Sequence, residues 1–132
     1  MKKLLSIVLV LGFYVYASAQ TEPETLNWLD QNKKNLDLVY SQAYDLYGDF
    51  FEITEDYVRL YDNEKSCKVL WKDVKNITSD DDYFYLNTDN QINNKNISMT
   101  ILIANKQNRS DFKNAIQKMV DFKNSSSNMV KN

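Results

Sequence analysis

Hydrophobic and polar residues alternate along residues 49–74, which read DFFEITEDYVRLYDNEKSCKVLWKDV. Three short runs of aromatic and β-branched residues are separated by the polar breaks Thr54–Asp56 and Asp62–Lys65. Alternation with a period of two, interrupted by turn-forming residues, is typical of an antiparallel β-meander. The pattern predicts that one face of this meander points into the core and carries Phe51, Ile53, Val58, Leu60, Cys67, Val69 and Trp71.

Further strands are predicted after the meander. Tyr83–Asn87 alternates inward and outward positions, and Ile97–Ile103 alternates isoleucine and methionine with serine and threonine. The acidic run Asp80–Asp82 indicates a turn, and the asparagine-rich stretch Thr88–Lys95 predicts a loop. Residues 36–47 fit a helical stripe and an alternating strand equally well, and their tyrosine content slightly favours a strand.

Helices are predicted on both sides of these strands. Thr21 and Glu24 have the spacing of a capping box, so we expect a helix from there to about Asn35. Near the C terminus, Asn108 or Ser110 is expected to cap a second, amphipathic helix. Its apolar residues recur at helical spacing and form one face: Phe112, Ala115, Ile116, Met119 and Val120.

The order of elements predicts an α+β fold. An N-terminal helix precedes a strongly bent antiparallel sheet of five to seven strands, which forms a partly open barrel, and a C-terminal amphipathic helix closes it. The length suits one domain, which we place at residues 20–124. The polar stretch 125–132 is expected to be a flexible tail.

Residues 1–19 have the three parts of a secretory signal peptide. Lys2 and Lys3 supply positive charge, Leu4–Tyr16 is apolar, and Ala17–Ala19 has the small-residue cleavage pattern. Leu4–Ala19 is only 16 residues long, shorter than the roughly 20 that a spanning helix needs. We therefore expect cleavage, secreted or periplasmic localisation, and no membrane insertion afterwards.

Composition argues against several kinds of partner and chemistry. After loss of the signal peptide, 14 basic residues stand against 18 acidic ones, and a net charge of −4 repels nucleic acids and anionic lipid surfaces. The chain has no histidine and one cysteine, Cys67, which we expect to be a small buried hydrophobe. The sequence therefore predicts no metal, no cofactor, no catalytic residue and no enzymatic activity.

A short stretch of the meander resembles a known family. Lys68–Ile77, a strand that ends in tryptophan and is followed by a polar residue, aspartate and a hydrophobic residue, is similar to a segment of bacterial pleckstrin-homology-like and GRAM-like domains. In those domains a strand meander is closed by a C-terminal amphipathic helix, which would correspond here to Ser110–Phe122. The resemblance covers about Asp49–Lys123 and implies a small exported bacterial domain that binds a partner.

The sequence departs from that family at the place where many of its members bind lipid headgroups. Phosphoinositide-binding members carry lysine and arginine in the loop between their first two strands. The matching turn here is Thr54–Asp56, whose two carboxylates would repel phosphate, and Arg59 alone makes no phosphate site. We therefore expect no phosphoinositide ligand.

One group of side chains is predicted to face away from the aliphatic core. Aromatic residues together with arginine are enriched in protein-binding surfaces. The alternation assigns six residues to this outer face: Phe50, Tyr57, Arg59, Tyr61, Tyr83 and Tyr85. The last five of them are our candidate binding residues; coverage by the first helix or cross-strand aromatic pairing would explain the same pattern without function.

Three functions are compatible with these features. The first is an exported, non-catalytic binding or interaction module for an unidentified protein or small ligand. The second is a carrier of a small apolar ligand, which requires a pocket beside Trp71, Phe112 and Ile116. The third is a carboxylate-dependent hydrolase, for which pairs such as Glu55 and Asp56 would have to lie in one cleft.

The signal peptide gives a direct prediction for the N terminus of the mature protein. Cleavage after Ala19 leaves Gln20 first, a residue that can cyclise to pyroglutamate. Intact-mass analysis of the protein exported by its native host is expected to show a chain that starts at Gln20. A mass that corresponds to the uncleaved chain would contradict the prediction.

Overall fold

The computed structural model describes residues 21–48 and 50–131, with side chains described as far as Ser125. The predicted signal peptide therefore lies outside the described residues. Within the described part of the chain, no helix combines the length and the apolar character that a membrane span requires.

The described residues form two α-helices and eight strands. In chain order they are α1 (Glu22–Asn32), β1 (Leu38–Ser41), β2 (Leu46–Tyr47), β3 (Phe50–Ile53), β4 (Tyr57–Tyr61), β5 (Ser66–Leu70), β6 (Val74–Asp80), β7 (Tyr83–Ile92), β8 (Lys95–Leu102) and α2 (Lys106–Lys131). Short 3₁₀ turns follow α1 at Lys33–Asn35 and β5 at Trp71–Asp73. The backbone of the predicted tail is thus helical as far as Lys131, and its flexibility stays a prediction.

The strands form two antiparallel sheets, and the predicted α+β class is confirmed. One sheet has the strand order β2-β1-β8-β7-β6, and the other has the order β3-β4-β5. Sequence analysis predicted a single, strongly bent sheet of five to seven strands. The structure instead divides eight strands between two sheets that are not strongly curved, because the chain changes sheet at Gly48 and again at the turn Trp71–Asp73.

Gly48 lies where the chain leaves the five-stranded sheet and enters the three-stranded one. A Cβ atom at this position would lie 2.2 Å from Cδ1 of Leu60 and 3.2 Å from the backbone nitrogen of Tyr61. Leu60 is fully buried, so it has little room to move. Glycine is needed here for close backbone approach rather than for an unusual backbone angle, since its φ is not positive.

A single hydrophobic core lies between the two sheets and the helices. The predicted apolar face of α2 is buried throughout, and so is the predicted inner face of the meander except for half-buried Phe51. The ring of Phe112 lies 6.1 Å from that of Trp28 on α1 and 6.4 Å from that of Phe84 on β7. Phe112 therefore joins both helices to the inner face of the larger sheet.

Trp71 belongs to this core at the point where the meander ends. It lies in the 3₁₀ turn rather than in a strand, is completely buried, and donates a hydrogen bond from Nε1 to the carbonyl oxygen of Thr54 at 2.9 Å. A buried indole N–H needs such a partner, because leaving it unpaired costs the desolvation of the donor. The bond ties the end of the meander to the β3–β4 turn.

The N-terminal cap of α1 is confirmed, whereas the predicted cap of α2 is wrong. The Thr21 hydroxyl accepts a hydrogen bond from the backbone N–H of Glu24 at 3.3 Å. At α2 the side chain of Asn105, not Asn108 or Ser110, accepts from the backbone N–H of Asn108 at 2.9 Å. The helix begins at Lys106, ahead of both predicted positions, so Asn105 immediately before it acts as the cap.

Two further segments contain strands: one had an ambiguous pattern, and the other was predicted to be a loop. Residues 36–47 contain the strands β1 and β2, in agreement with the weak preference of their composition. Thr88–Lys95 was predicted to be a loop, but most of it belongs to the long β7–β8 hairpin, whose turn is Asn93–Asn94. Both asparagines have positive φ angles, 53° and 65°, which tight hairpin turns require and asparagine tolerates.

The close approach at Gly48 predicts a steric cost for any side chain there. We expect Gly48→Ala to lower the free energy of unfolding by about 2 kcal/mol, because the added methyl group overpacks the core against Leu60. Chemical denaturation would measure the change. Ser66→Thr, which adds a methyl group at an exposed position of β5, is the matched control and should alter stability by less than about 0.5 kcal/mol.

A double variant tests whether the loss of stability arises from the contact with Leu60. Because Leu60 supplies the nearest atoms, Gly48→Ala should cost less in a Leu60→Ala background than in the wild type. An equal cost in both backgrounds would show that the effect of the alanine does not arise from this contact.

Candidate functional site

The five candidate residues from the sequence lie on two different sheets. Tyr57, Arg59 and Tyr61 are on β4 of the three-stranded sheet, whereas Tyr83 and Tyr85 are on β7 of the five-stranded sheet. The inner faces of both sheets contribute to the same core. The predicted single surface is therefore divided between two sheets.

The outer face of the three-stranded sheet is held together by contacts among its own side chains. The Nε atom of Arg59 lies 3.3 Å from a carboxylate oxygen of Glu52, its partner residue on β3. The guanidinium carbon of Arg59 also lies 4.2 Å from the ring centroid of Tyr61, and the Lys68 ammonium lies 4.4 Å from that of Tyr57. Cation–π contacts and an ion pair thus engage both cations of this face.

Tyr57 is engaged through the same carboxylate. A hydrogen bond to Glu52 raises the pKa of the Tyr57 phenol, and partial burial and the negative charge of Glu52 act in the same direction. The most exposed aromatic side chain on this sheet is Phe50, with 53% of its surface accessible, and its ring stacks on Tyr61 at 5.3 Å. Tyr57, Arg59 and Tyr61 are each half-buried.

The outer face of the five-stranded sheet has a different composition. Strand pairing aligns one row of outward residues across the sheet: Tyr47, Tyr40, Thr100, Tyr85 and Thr78. The neighbouring row consists of Leu38, Leu102, Tyr83 and Asp80. We call the aromatic and aliphatic members of these rows the tyrosine face: Leu38, Tyr40, Tyr47, Tyr83, Tyr85 and Leu102.

Three members of the tyrosine face are among the exposed large apolar side chains of the described residues. The accessible fractions are 60% for Tyr47, 38% for Tyr83 and 36% for Leu38. The ring of Tyr40 stacks on that of Tyr47 at 4.4 Å, and the rings of Tyr83 and Tyr85 lie 6.5 Å apart and nearly parallel. Partial burial, Tyr47 and Asp45 raise the pKa of Tyr40, so its phenol is neutral at physiological pH.

Four members of this face were not predicted from the alternation of the sequence, namely Leu38, Tyr40, Tyr47 and Leu102. Residues 36–47 fitted two periodicities, and the four-residue loop Gln42–Asp45 changes the phase of alternation between β1 and β2. As a result Leu46 points into the core although Leu38 and Tyr40 point outwards. The signal that could have revealed the face is the tyrosine spacing on either side of that loop.

A polar cleft adjoins the tyrosine face. The next row of outward residues is Ser98, Asn87 and Asn76. These strands and the β1–β2 loop form an open cleft of about 580 Å³. The residues that line it are Gln42, Ala43, Lys75, Asn76, Thr78, Asn87, Thr88, Lys95, Asn96 and Ser98. The Nδ2 group of Asn87 donates hydrogen bonds to Oδ1 of Asn76 at 2.8 Å and to Oγ1 of Thr78 at 3.0 Å.

A second open cleft, of about 620 Å³, lies between the end of α1, β1 and the β3–β4 hairpin. Its apolar lining includes Leu36, Leu38 and Phe50, and lysines and carboxylates surround it. Neither cleft is lined by the residues Trp71, Phe112 and Ile116, which are buried almost completely in the core.

The thiol of Cys67 is buried, whereas the carboxylates of Glu55 and Asp56 are exposed. Burial raises the pKa of the Cys67 thiol, which is completely inaccessible. The acidic pair Glu55 and Asp56 lies on an exposed turn, with each carboxylate 3.7 Å from the ammonium of Lys123. Lys123 lies closer still, at 2.6 Å, to Glu22 at the start of α1. Within the described residues no group of three acidic or thiol side chains is arranged to bind a metal ion.

Comparisons with protein-family models, with curated proteins and with solved structures found no match to this chain.

The contact between Tyr57 and Glu52 can be tested by titration. Glu52→Gln removes the negative charge and weakens the hydrogen bond to the phenol, so we expect the pKa of Tyr57 to fall towards its ordinary value. A difference titration of tyrosinate absorbance between variant and wild type would measure the shift. Glu55→Gln on the neighbouring turn is the control and should leave the Tyr57 titration unchanged; an unchanged titration in Glu52→Gln would contradict the described geometry.

Proposed function

We propose that the protein is an exported, non-catalytic binding module that holds its partner on the tyrosine face. The observation that supports the proposal is the exposure of Tyr47, Tyr83 and Leu38 on one side of one sheet. Exposed apolar surface of this kind costs free energy in water, and proteins that keep it commonly use it for recognition. Tyrosine suits such a surface, because a rigid ring provides large contact area and a hydroxyl group provides polarity.

The other half of the predicted surface is a weaker candidate. On the three-stranded sheet Arg59 is paired with Glu52, and Tyr57 is hydrogen-bonded to the same carboxylate. A ligand that needed these groups would have to compete with the ion pair and with the contact of Arg59 to the Tyr61 ring. On the tyrosine face, by contrast, the outer surface of the Tyr47 ring is open to any partner without such a cost.

The burial of the thiol and the exposure of the carboxylates also favour a binding role over a catalytic one. The thiol is buried and is held in its neutral form by the raised pKa, so it cannot act as a nucleophile on an external substrate. Glu55 and Asp56 are exposed on a turn, and each has a carboxylate oxygen 3.7 Å from the ammonium of Lys123 rather than lying in a cleft. The carrier alternative needs space beside Trp71, Phe112 and Ile116, and those side chains are packed in the core.

Export belongs to the proposal because of the leader sequence. The charged, apolar and small-residue regions of residues 1–19 are those of a signal peptide. The partner would then be a component of the periplasm, the cell surface or the medium rather than of the cytoplasm.

Site-specific photo-crosslinking tests this proposal. The full coding sequence would be expressed in the native host with benzoylphenylalanine in place of Tyr47, and in a matched variant with the same group in place of Phe50. Both positions are exposed, at 60% and 53%, but they lie on different sheets. We expect illumination to give a defined covalent adduct from position 47 and a much weaker one from position 50, which shares a cleft with Leu38 of the tyrosine face.

A second substitution tests whether the adduct from position 47 depends on another residue of the tyrosine face. Tyr85→Ala removes a ring on the other side of Thr100 and should reduce the adduct from position 47 several-fold. Absence of any adduct at position 47, or equal adducts at positions 47 and 50, would refute the proposed role of the tyrosine face.

A further inference from the structure

We propose that the ligand of the tyrosine face is a neutral carbohydrate chain, an inference that rests on the function proposed above. The observation behind it is the juxtaposition of tyrosine rings with a cleft of amide and hydroxyl groups on the same side of one sheet. Sugars can bind to both kinds of group, since each sugar ring has apolar C–H faces and a rim of hydroxyl groups.

Strand pairing places a small residue between two tyrosines on the tyrosine face. Thr100 lies between Tyr40 on one neighbouring strand and Tyr85 on the other. The strands that carry the two tyrosines are therefore separated by two strand spacings, about 10 Å. Thr100 is smaller than either tyrosine, and the ring of Tyr40 stacks on that of Tyr47. A sugar ring placed over Thr100 would have its C–H groups against the electron-rich faces of the tyrosines.

The amide cleft begins one row further along the same strands. Asn87 and Tyr85 are two residues apart on β7, which corresponds to about 7 Å along the strand. A linear oligosaccharide that lies on the tyrosines therefore reaches the cleft without bending. The two parts form one continuous binding surface, in which the rings supply contact area and the amides supply orientation.

The amides of the cleft are oriented in advance. Because Asn87 donates to Asn76 and Thr78, its Oδ1 atom and the Nδ2 group of Asn76 have no hydrogen-bond partner among the described residues. Gln91 likewise donates to Oδ1 of Asn96 at 2.9 Å, and Asn96 also lines the cleft. Amides offer both donors and acceptors, as sugar hydroxyl groups do, so the two sets are complementary.

The charge of the cleft favours a neutral ligand. Lys75 is paired with Asp89 at 3.2 Å, which offsets one of the two lysines in the lining. A polyanion would need more uncompensated cations than Lys95 provides. A protein partner would favour an apolar centre, and a small apolar ligand would favour an enclosed pocket, whereas this cleft is open and polar.

Binding to the host's own polysaccharide tests the inference. The probe is the polysaccharide fraction of the host envelope and culture medium, digested with protease and nuclease and cast into a native electrophoresis gel. We expect protein from the full coding sequence to be retarded by this fraction, and mild periodate oxidation of the fraction should abolish the effect. Retardation that survives periodate, or no retardation, would overturn the inference.

Variants locate the binding on the proposed surface. Tyr47→Ala is expected to raise the apparent dissociation constant about tenfold, as for removal of an aromatic contact from a binding site. Asn87→Leu should also weaken binding, because it removes the amide that orients the cleft. Phe50→Ala, the control on the other sheet, should bind like the wild type. Equal binding by all variants would contradict the location.

The covalent adduct from position 47 separates failure of the inference from failure of the proposed function. An adduct whose added mass is lost on periodate oxidation supports the carbohydrate inference. An adduct whose tryptic digest contains peptides of a second protein keeps the tyrosine face as a binding surface but overturns the carbohydrate inference in favour of a protein partner. If no adduct forms, both proposals are refuted.

Discussion

The close approach of Gly48 to Leu60 determines how the rest of this structure is arranged. The chain can pass from the five-stranded sheet into the three-stranded sheet only because no side chain stands between Gly48 and the buried Leu60. This crossing puts Tyr47 on the outer face of one sheet and Phe50 on the outer face of the other. The two aromatic surfaces of the molecule are thereby separated, although the residues that begin them are three positions apart.

Once separated, the two surfaces differ in what their polar groups do. On the three-stranded sheet one carboxylate, Glu52, engages both Arg59 and Tyr57, so the surface is stabilised by its own contacts. On the five-stranded sheet the tyrosines adjoin asparagines whose amides are oriented by one another but still have free donors and acceptors. Polar groups that their neighbours orient before a ligand arrives are typical of a binding site.

Local patterns predicted much of the fold, and long-range pairing explains what they missed. Thr21 capping α1 and the apolar face of α2 were predicted correctly, because capping and helical periodicity depend on residues within a few positions of each other. Alternation predicted which meander residues are buried, but it cannot tell which strands share a sheet. Tyr57 and Tyr83 were therefore assigned to one surface although they lie on two sheets. Tyr40 and Tyr47 were missed, since the intervening loop changes the phase of alternation.

The two aromatic surfaces are expected to differ in their availability to partners. Tyrosine nitration followed by peptide mass spectrometry measures this availability residue by residue. The structure predicts that Tyr47 and Tyr83 react fastest, because they are the more exposed rings. Tyr57 should react slowly, because Glu52 binds its hydroxyl group and raises its pKa. Faster modification of Tyr57 and Tyr61 than of Tyr47 and Tyr83 would contradict the account.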